Sequence, residues 1–185
     1  MNLKLHPVTG LGLILLALTS ACTSVKTQLP RQTLTRTVNL PQFMGRWYVI
    51  ASIPTMFETG AVNAVETYSW NEQRQRIDVD FRFRKDSPDG KEKVVPQKAF
   101  VHDRKTNAEW RIQLFWPLKF AYLIIDLADD YSDTTIGVPN RKHVWILARQ
   151  PTMPAARYDA ILEKLRTLGY DTNAVQKVPQ IWPAP

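Results

Sequence analysis

Ile77-Asp78-Val79-Asp80-Phe81-Arg82-Phe83-Arg84 is the stretch on which the fold turns. Apolar side chains at Ile77, Val79, Phe81 and Phe83 alternate without a break with charged ones at Asp78, Asp80, Arg82 and Arg84. A period of two places every second side chain on the same face of a strand, so one face is dry and the other wet. Working outward, the polar turn Asn71-Glu72-Gln73 precedes it, and before that Val62–Trp70 and Trp47–Ile53 read as strands. Downstream, Asp86-Ser87-Pro88-Asp89-Gly90 is a turn. Lys93–Val101 follows as a strand, with Pro96 implying a bulge or an edge. Trp110, Ile112, Leu114 and Trp116 alternate with Arg111 and Gln113 in a fifth strand. Pro117-Leu118-Lys119 turns the chain into Ala121–Leu127, and Ser132–Val138 and His143–Arg149 complete the set. Short strands in close succession predict an all-β fold, an eight-stranded antiparallel up-and-down barrel, with a two-sheet sandwich as the rival. Then the period changes: Tyr158, Ile161, Leu162, Leu165 and Leu168 share one helical stripe. Thr152 or Pro154 marks the start of this amphipathic helix and Gly169 its stop. With no partner helix, it must dock on the outside of the barrel.

The N-terminus has another character. Lys4 leads into the apolar run Leu11-Gly12-Leu13-Ile14-Leu15-Leu16-Ala17-Leu18, closed by the small residues Thr19-Ser20-Ala21. This layout predicts a secretory signal over residues 1–21, too short for the roughly 20 apolar residues of a membrane span. Cys22, the single cysteine, follows directly and cannot form an internal disulfide. Its placement resembles the lipobox of bacterial lipoproteins, whose cysteine is acylated and becomes the new N-terminus. That pattern favours Leu three residues before the cysteine; here Thr19 stands there, with Leu18 one step further out. Ordinary signal cleavage, leaving a free thiol on a secreted chain, is the alternative, and both readings export the protein. Residues 22–38, rich in Thr and Gln, read as a flexible tether that would reach about 50 Å when stretched. Residues 39–185 read as one domain. The formal charge of +7 is spread along the chain. Without a clustered basic patch it argues against nucleic acid, and is compatible with solubility or with anionic lipid.

Three separated motifs carry a resemblance. Gly45-Arg46-Trp47, preceded by Leu40-Pro41-Gln42-Phe43-Met44 and continued by Tyr48-Val49-Ile50-Ala51, matches a Gly-x-Trp opening of a first strand. Asp129-Asp130-Tyr131 resembles a Thr-Asp-Tyr loop, with Asp in place of Thr, and Val144-Trp145-Ile146-Leu147-Ala148-Arg149 ends a last strand on Arg. In this order and spacing, with a helix after, the chain resembles the lipocalins, specifically bacterial outer-membrane lipocalins related to apolipoprotein D. The resemblance implies a calyx-shaped barrel, a role in envelope lipid storage or transport, and an exported protein lipid-anchored at the periplasmic face of the outer membrane. Thr23 after the cysteine favours that membrane by the family's sorting rule. Trp47 would plug one end of the barrel, Arg149 would lie over its indole, and Gly45 would let the chain pass closely. These three are structural closure residues.

No chemistry-bearing pattern stands out. There is no Gly-x-Ser-x-Gly elbow and no phosphate-binding loop. His102 and His143 have no Cys or Glu at metal-ligand spacing. No catalytic residue, metal or cofactor is expected, although a lipocalin-type enzyme acting on a lipid or pigment stays open, as does a structural envelope lipoprotein with a filled barrel. Binding is better founded, because an eight-stranded barrel has room for one small ligand when side chains do not fill it. The expected ligand is a fatty acid, lysophospholipid or similar amphiphile. Candidate wall residues are Val79, Phe81, Ile112, Leu114, Trp116 and Trp145. Met56 and Phe57 lie in a first long loop that resembles the family's lid. Lys119 and Tyr122 flank the sixth strand, where an ammonium and a phenol would hold a carboxylate or phosphate head group. A closed barrel needs no partner, yet its loops leave a homodimer open.

Overall fold

The computed structural model describes residues 32, 34 and 36–183. The expected signal over 1–21 and Cys22 lie outside the described residues. After a short helix α1 (Leu40–Phe43) come β1 (Gly45–Ile53), β2 (Ala61–Asn71), β3 (Arg76–Lys85), β4 (Glu92–Val101), β5 (Glu109–Gln113), β6 (Phe120–Leu127), β7 (Asp133–Gly137) and β8 (Val144–Ala148). Each strand pairs antiparallel with the next, and β1 pairs with both β8 and β2. One continuous sheet closed on itself is a barrel and excludes the sandwich. The meander gives the barrel two ends. Loops 54–60, 86–91, 114–119 and 138–143, which follow the odd strands, surround the mouth. Loops 72–75, 102–108 and 128–132 lie with α1 at the floor.

The alternation read at Ile77–Arg84 is realised: Ile77, Val79, Phe81 and Phe83 are buried while Asp78, Asp80, Arg82 and Arg84 are not. The fifth strand is shorter than its alternation implies. β6 begins at Phe120, opposite Ile112, so the chain past Gln113 has no β6 partner and leaves the sheet.

Helix α2 (Ala155–Thr167) docks on the outside, as its stripe requires. Ile161 and Leu165 pack against Ala51, Leu123, Ile125, Val144 and Ile146. The helix stops at Gly169, whose φ of +87° suits glycine, and the Tyr170 N–H closes back on the Leu165 carbonyl at 3.0 Å. Charges fix the docking. Arg157 reaches Asp126 at 2.8 Å and Asp133 at 2.6 Å, and Lys164 reaches Asp126 at 2.6 Å. Burial pushes the Asp126 carboxyl up, but Lys164 and Arg157 together hold it below the usual carboxylate range. Its contribution to stability is therefore present above the ordinary carboxyl pKa and is lost as pH falls through the lower folded value. We expect Asp126→Asn to cost about 1.5–3 kcal/mol at neutral pH and to flatten the acid limb of urea-melt stability. An acid limb identical to the parent's would show that the pairs contribute nothing.

Two extended segments complete the wall. Gln32, Leu34, Arg36 and Val38 mark a strap along the barrel. The Gln32 amide donates to the Val138 and Pro139 carbonyls at 3.1 and 3.2 Å, beside the mouth. Leu34 N–H meets the Ile124 carbonyl at 3.2 Å, and Val38 N–H meets the Thr106 carbonyl at 2.7 Å, at the floor. Within the expected flexible tether over residues 22–38, Gln32 and Val38 are buried and Leu34 packs on the core. At the other terminus, β1 and β2 pair only over Gly45–Tyr48. Above that the tail fills the seam. A short strand β9 (Gln176–Lys177) pairs with β1, Val178 N–H bonds the Ile50 carbonyl, and Asn63 exchanges side-chain bonds with Ile181 at 2.7 and 2.6 Å.

Candidate functional site

The floor is a knot of aromatic rings. Phe43, held by α1, lies 5.1 Å from Trp47, 5.5 Å from Tyr68 and 5.1 Å from Trp110. Trp47 donates its indole N–H to the Phe43 carbonyl at 2.9 Å. The Arg149 guanidinium sits 3.7 Å from the centroid of Trp47. It also donates to the carbonyls of Gln42, Phe43, Met44 and Arg46 at 2.6–3.1 Å, of which the first three lie at the end of α1, where carbonyls have no helical partners. Gly45 has a φ of +97°, and a Cβ there would stand 3.4 Å from Arg149 Nη1, so the backbone turn and the arginine's position both favour glycine. Asp129-Asp130-Tyr131 serves the same end: the Tyr131 hydroxyl accepts from Asn39 N–H at 2.8 Å, and Arg36 meets Asp129 at 3.5 Å.

Above the floor, the register of β2 on β3 sets Glu66 opposite Phe81 and Tyr68 opposite Val79. Both therefore point inward with the apolar wall. From β6, Tyr122 also points in. It stacks between Trp110 at 5.9 Å and Trp145 at 6.2 Å and donates to Glu66 at 3.0 Å. Tyr68 donates to the same carboxylate oxygen, and the two phenol oxygens touch. Burial pushes the Glu66 carboxyl up to about 7, against the downward pull of the two phenols. At the mouth, Glu58 of loop 54–60 accepts from the Trp145 indole at 3.1 Å, and burial raises its carboxyl as well. The interior is thus an aromatic column with two carboxyl groups along it.

Of the expected wall residues, Val79, Phe81 and Ile112 are buried in the interior cluster and Trp145 packs against it. Leu114 and Trp116 do not join them. Past the end of β5 they are 41% and 86% exposed, on a loop that overhangs the outer face of β2, β3 and β4. There they help line a groove of about 480 Å³ with Thr67, Asp78, Pro96 and Lys98. Lys119 and Tyr122 are not brought together. Tyr122 is inside, whereas the Lys119 ammonium rests 3.9 Å from the Phe100 ring centroid, and Phe100, opposite Arg111, faces outward. A shared head-group clamp by this pair is therefore corrected. Met56 and Phe57 stand exposed on loop 54–60.

Glu58 and Glu66 escaped the sequence reading. Glu66 had a signal: it shares strand parity with Ala64 and Tyr68, so a buried face through those residues carries the acid with it. The dry inner face read on the third strand does not extend to the second and sixth, which carry Glu66, Tyr68 and Tyr122 inward. Among the described residues no group of three or more His, Cys, Asp or Glu is placed to hold a metal.

Comparison with known proteins agrees with this architecture. A family model described as a lipocalin-like domain matches residues 38–180. The chain is 30% identical over 152 residues to temperature-induced lipocalin-1 of Arabidopsis thaliana, covering 77% of this chain and 80% of that one. It is 25% identical over 142 residues to the outer membrane lipoprotein Blc of Vibrio cholerae, covering 76% and 82%. Insecticyanin from the tobacco hornworm Manduca sexta superposes with a TM-score of 0.64 at 15% identity, covering 83% of this chain and 87% of that one, which speaks to the fold alone. The chain belongs to the lipocalin-like family.

Proposed function

We propose that the barrel binds a long-chain amphiphile, a fatty acid or lysophospholipid, and stores or carries it in the bacterial cell envelope. The observation that carries this reading is the inward apolar wall of Val79, Phe81, Phe83 and Ile112 in a barrel with a carboxyl group, Glu58, bonded to the Trp145 indole on one side of its mouth. Apolar walls with a few polar anchors suit an acyl chain with one polar end. Acylation of Cys22 would hold the protein on the outer membrane, a placement supported by relatives named outer membrane lipoproteins. No helix among the described residues is long and apolar enough to cross a membrane.

A second reading, a structural lipoprotein with a filled barrel, has one observation in its favour: Trp110, Tyr122 and Trp145 stack in a column through the interior from floor to mouth, with Glu66 bonded to Tyr122. Titration of delipidated protein with lysophospholipid, followed by tryptophan fluorescence and native mass spectrometry, separates the two. Binding predicts a saturable change and one lipid per barrel. Val79→Trp, which adds bulk to the wall, should weaken it by about tenfold or more, the equivalent of ~1.4 kcal/mol. A linear, unsaturable response with any long-chain lipid would leave the filled barrel standing.

A further inference from the structure

The period-two burial of β3 sends Asp78 and Asp80 out of the barrel, and the register carries their rows across the neighbouring strands. Ser69 stands opposite Asp78, Asp78 opposite Lys98, and Lys98 opposite Gln113. With strands ~4.8 Å apart, this row is about 14 Å long. The next row toward the mouth, Thr67–Asp80–Pro96, is built of short side chains. Past Gln113 the chain leaves the sheet, and Leu114, Phe115 and Trp116 wall the hollow over both rows. This is the groove of about 480 Å³, within the roughly 300–1,000 Å³ of small-molecule sites. It lies outside the barrel, so an amphiphile in the calyx would leave it free.

Several charged groups here are satisfied within the sheet. Asp78 accepts from Asn71 and Arg76, each at 2.7 Å, and Asp80 accepts from Arg82 at 2.8 Å. Other side chains that line the groove are not. Among the described residues, the side chains of Thr67, Ser69, Lys98 and Gln113 make no hydrogen bond or ion pair. Gln113 decides the matter. It is 8% exposed and borders the groove, so what reaches its amide comes through the groove. Buried polar side chains are in large majority bonded, and an amide left in this state points to a group supplied from outside.

The chemistry of the lining selects the occupant. Two cations, Arg76 and Lys98, stand with two carboxylates, Asp78 and Asp80, which leaves no net charge to attract a simple ion. β3 and β4 are each paired on both sides, so no open edge invites a peptide strand. The unbonded groups are an ammonium that only donates, and hydroxyls and an amide that donate and accept. Phe115 and Trp116, 57% and 86% exposed, add aromatic faces of negative potential. A pyranose sugar answers both sets. Its hydroxyls donate and accept, and one face of its ring presents C–H groups to an aromatic plane. We propose that the groove is a saccharide-binding site on the outer wall, with Trp116 stacking on a pyranose ring and Gln113, Lys98 and Ser69 bonding its hydroxyls. The site does not depend on lipid in the barrel.

The test uses the exported protein as purified, with maltose, lactose and di-N-acetylchitobiose as probes, which together present glucose, galactose and N-acetylglucosamine rings. Saturation-transfer NMR from the protein should reach the ring C–H protons of at least one of them. Titration of that signal should give a dissociation constant that rises about tenfold in Trp116→Ala, which removes the aromatic platform. Gln113→Ala should raise it about fivefold, and Trp116→Phe, which keeps a ring, less than Trp116→Ala. The far-ultraviolet circular dichroism and melting temperature of Trp116→Ala should match the parent, because that side chain is exposed. Its lysophospholipid titration should match as well, so that failure of the barrel as a lipid site and failure of the groove as a sugar site register separately. No transfer to any of the three sugars would overturn the proposal. So would transfer that survives Trp116→Ala unchanged, which would place the sugar elsewhere on the protein. A concentration-dependent dimer abolished by Trp116→Ala, without sugar binding, would assign the groove to a second copy and also overturn it.

Discussion

Trp47→Ala is expected to destabilise the protein by about 3–5 kcal/mol. Trp47 is fully buried, so the substitution opens a cavity at the floor that its neighbours can only partly fill. It also releases Arg149 from the indole face, a contact worth roughly 0.5–2 kcal/mol, while that guanidinium remains tied to four carbonyls around α1. The urea midpoint should fall steeply with little change in m-value. Trp47→Phe, which keeps a ring under Arg149 but not the bond to the Phe43 carbonyl, should recover much of the loss. A Trp47→Ala loss below about 1 kcal/mol would mean that the floor lies outside the cooperative unit.

Glu66→Gln is expected to stabilise the protein at pH 8 and to do little at pH 4. The Glu66 carboxyl is pushed up to about 7 in the fold, first by burial. In the unfolded chain a glutamate ionises near its ordinary value of ~4.3. Between those values the folded state binds the extra proton, so stability falls as pH rises through that window and the loss is complete above about pH 7. Below the ordinary value both states are protonated and the effect vanishes. A difference of ~2.7 pH units corresponds to roughly 3–4 kcal/mol. Gln keeps an acceptor for Tyr68 and Tyr122 without a charge to bury. Chemical melts of parent and variant at pH 4, 6 and 8 would show the curves separating as pH rises. Parallel curves would place the Glu66 ionisation elsewhere.

The architecture was legible because its decisive signals are local. Period-two burial at Ile77–Arg84 needs only neighbouring residues to be read, and so does the stripe through Ile161 and Leu165. What failed to show depends on partners distant in sequence. Leu114 and Trp116 continue the alternation of Ile112 on paper, but where a strand ends is decided by the register of the next one, and β6 starts opposite Ile112. Lys119 and Tyr122 are close in sequence yet lie on opposite faces of the wall. Gln32 looks like linker until its partners at Val138 and Tyr170 are in view. The carboxylate of Glu66 is a burial that composition argues against, made tolerable by two phenols, one from its own strand and one from β6.

The seam between β1 and β2 bears on order in time. Above Tyr48 and Val65 the two strands leave facing edges that, among the described residues, the tail through β9 and Ile181 occupies. Unpaired edges are the places where one chain recruits another. The segment that covers them follows all eight barrel strands and α2 in the chain, so the wall cannot be sealed until those have been made. Until then the molecule keeps two open strand edges beside an apolar interior, the form most prone to exchange strands with a copy of itself. Residues 176–181 thus act as the closing stitch, and the span between synthesis of β8 and arrival of Ile181 is the chain's period of greatest risk.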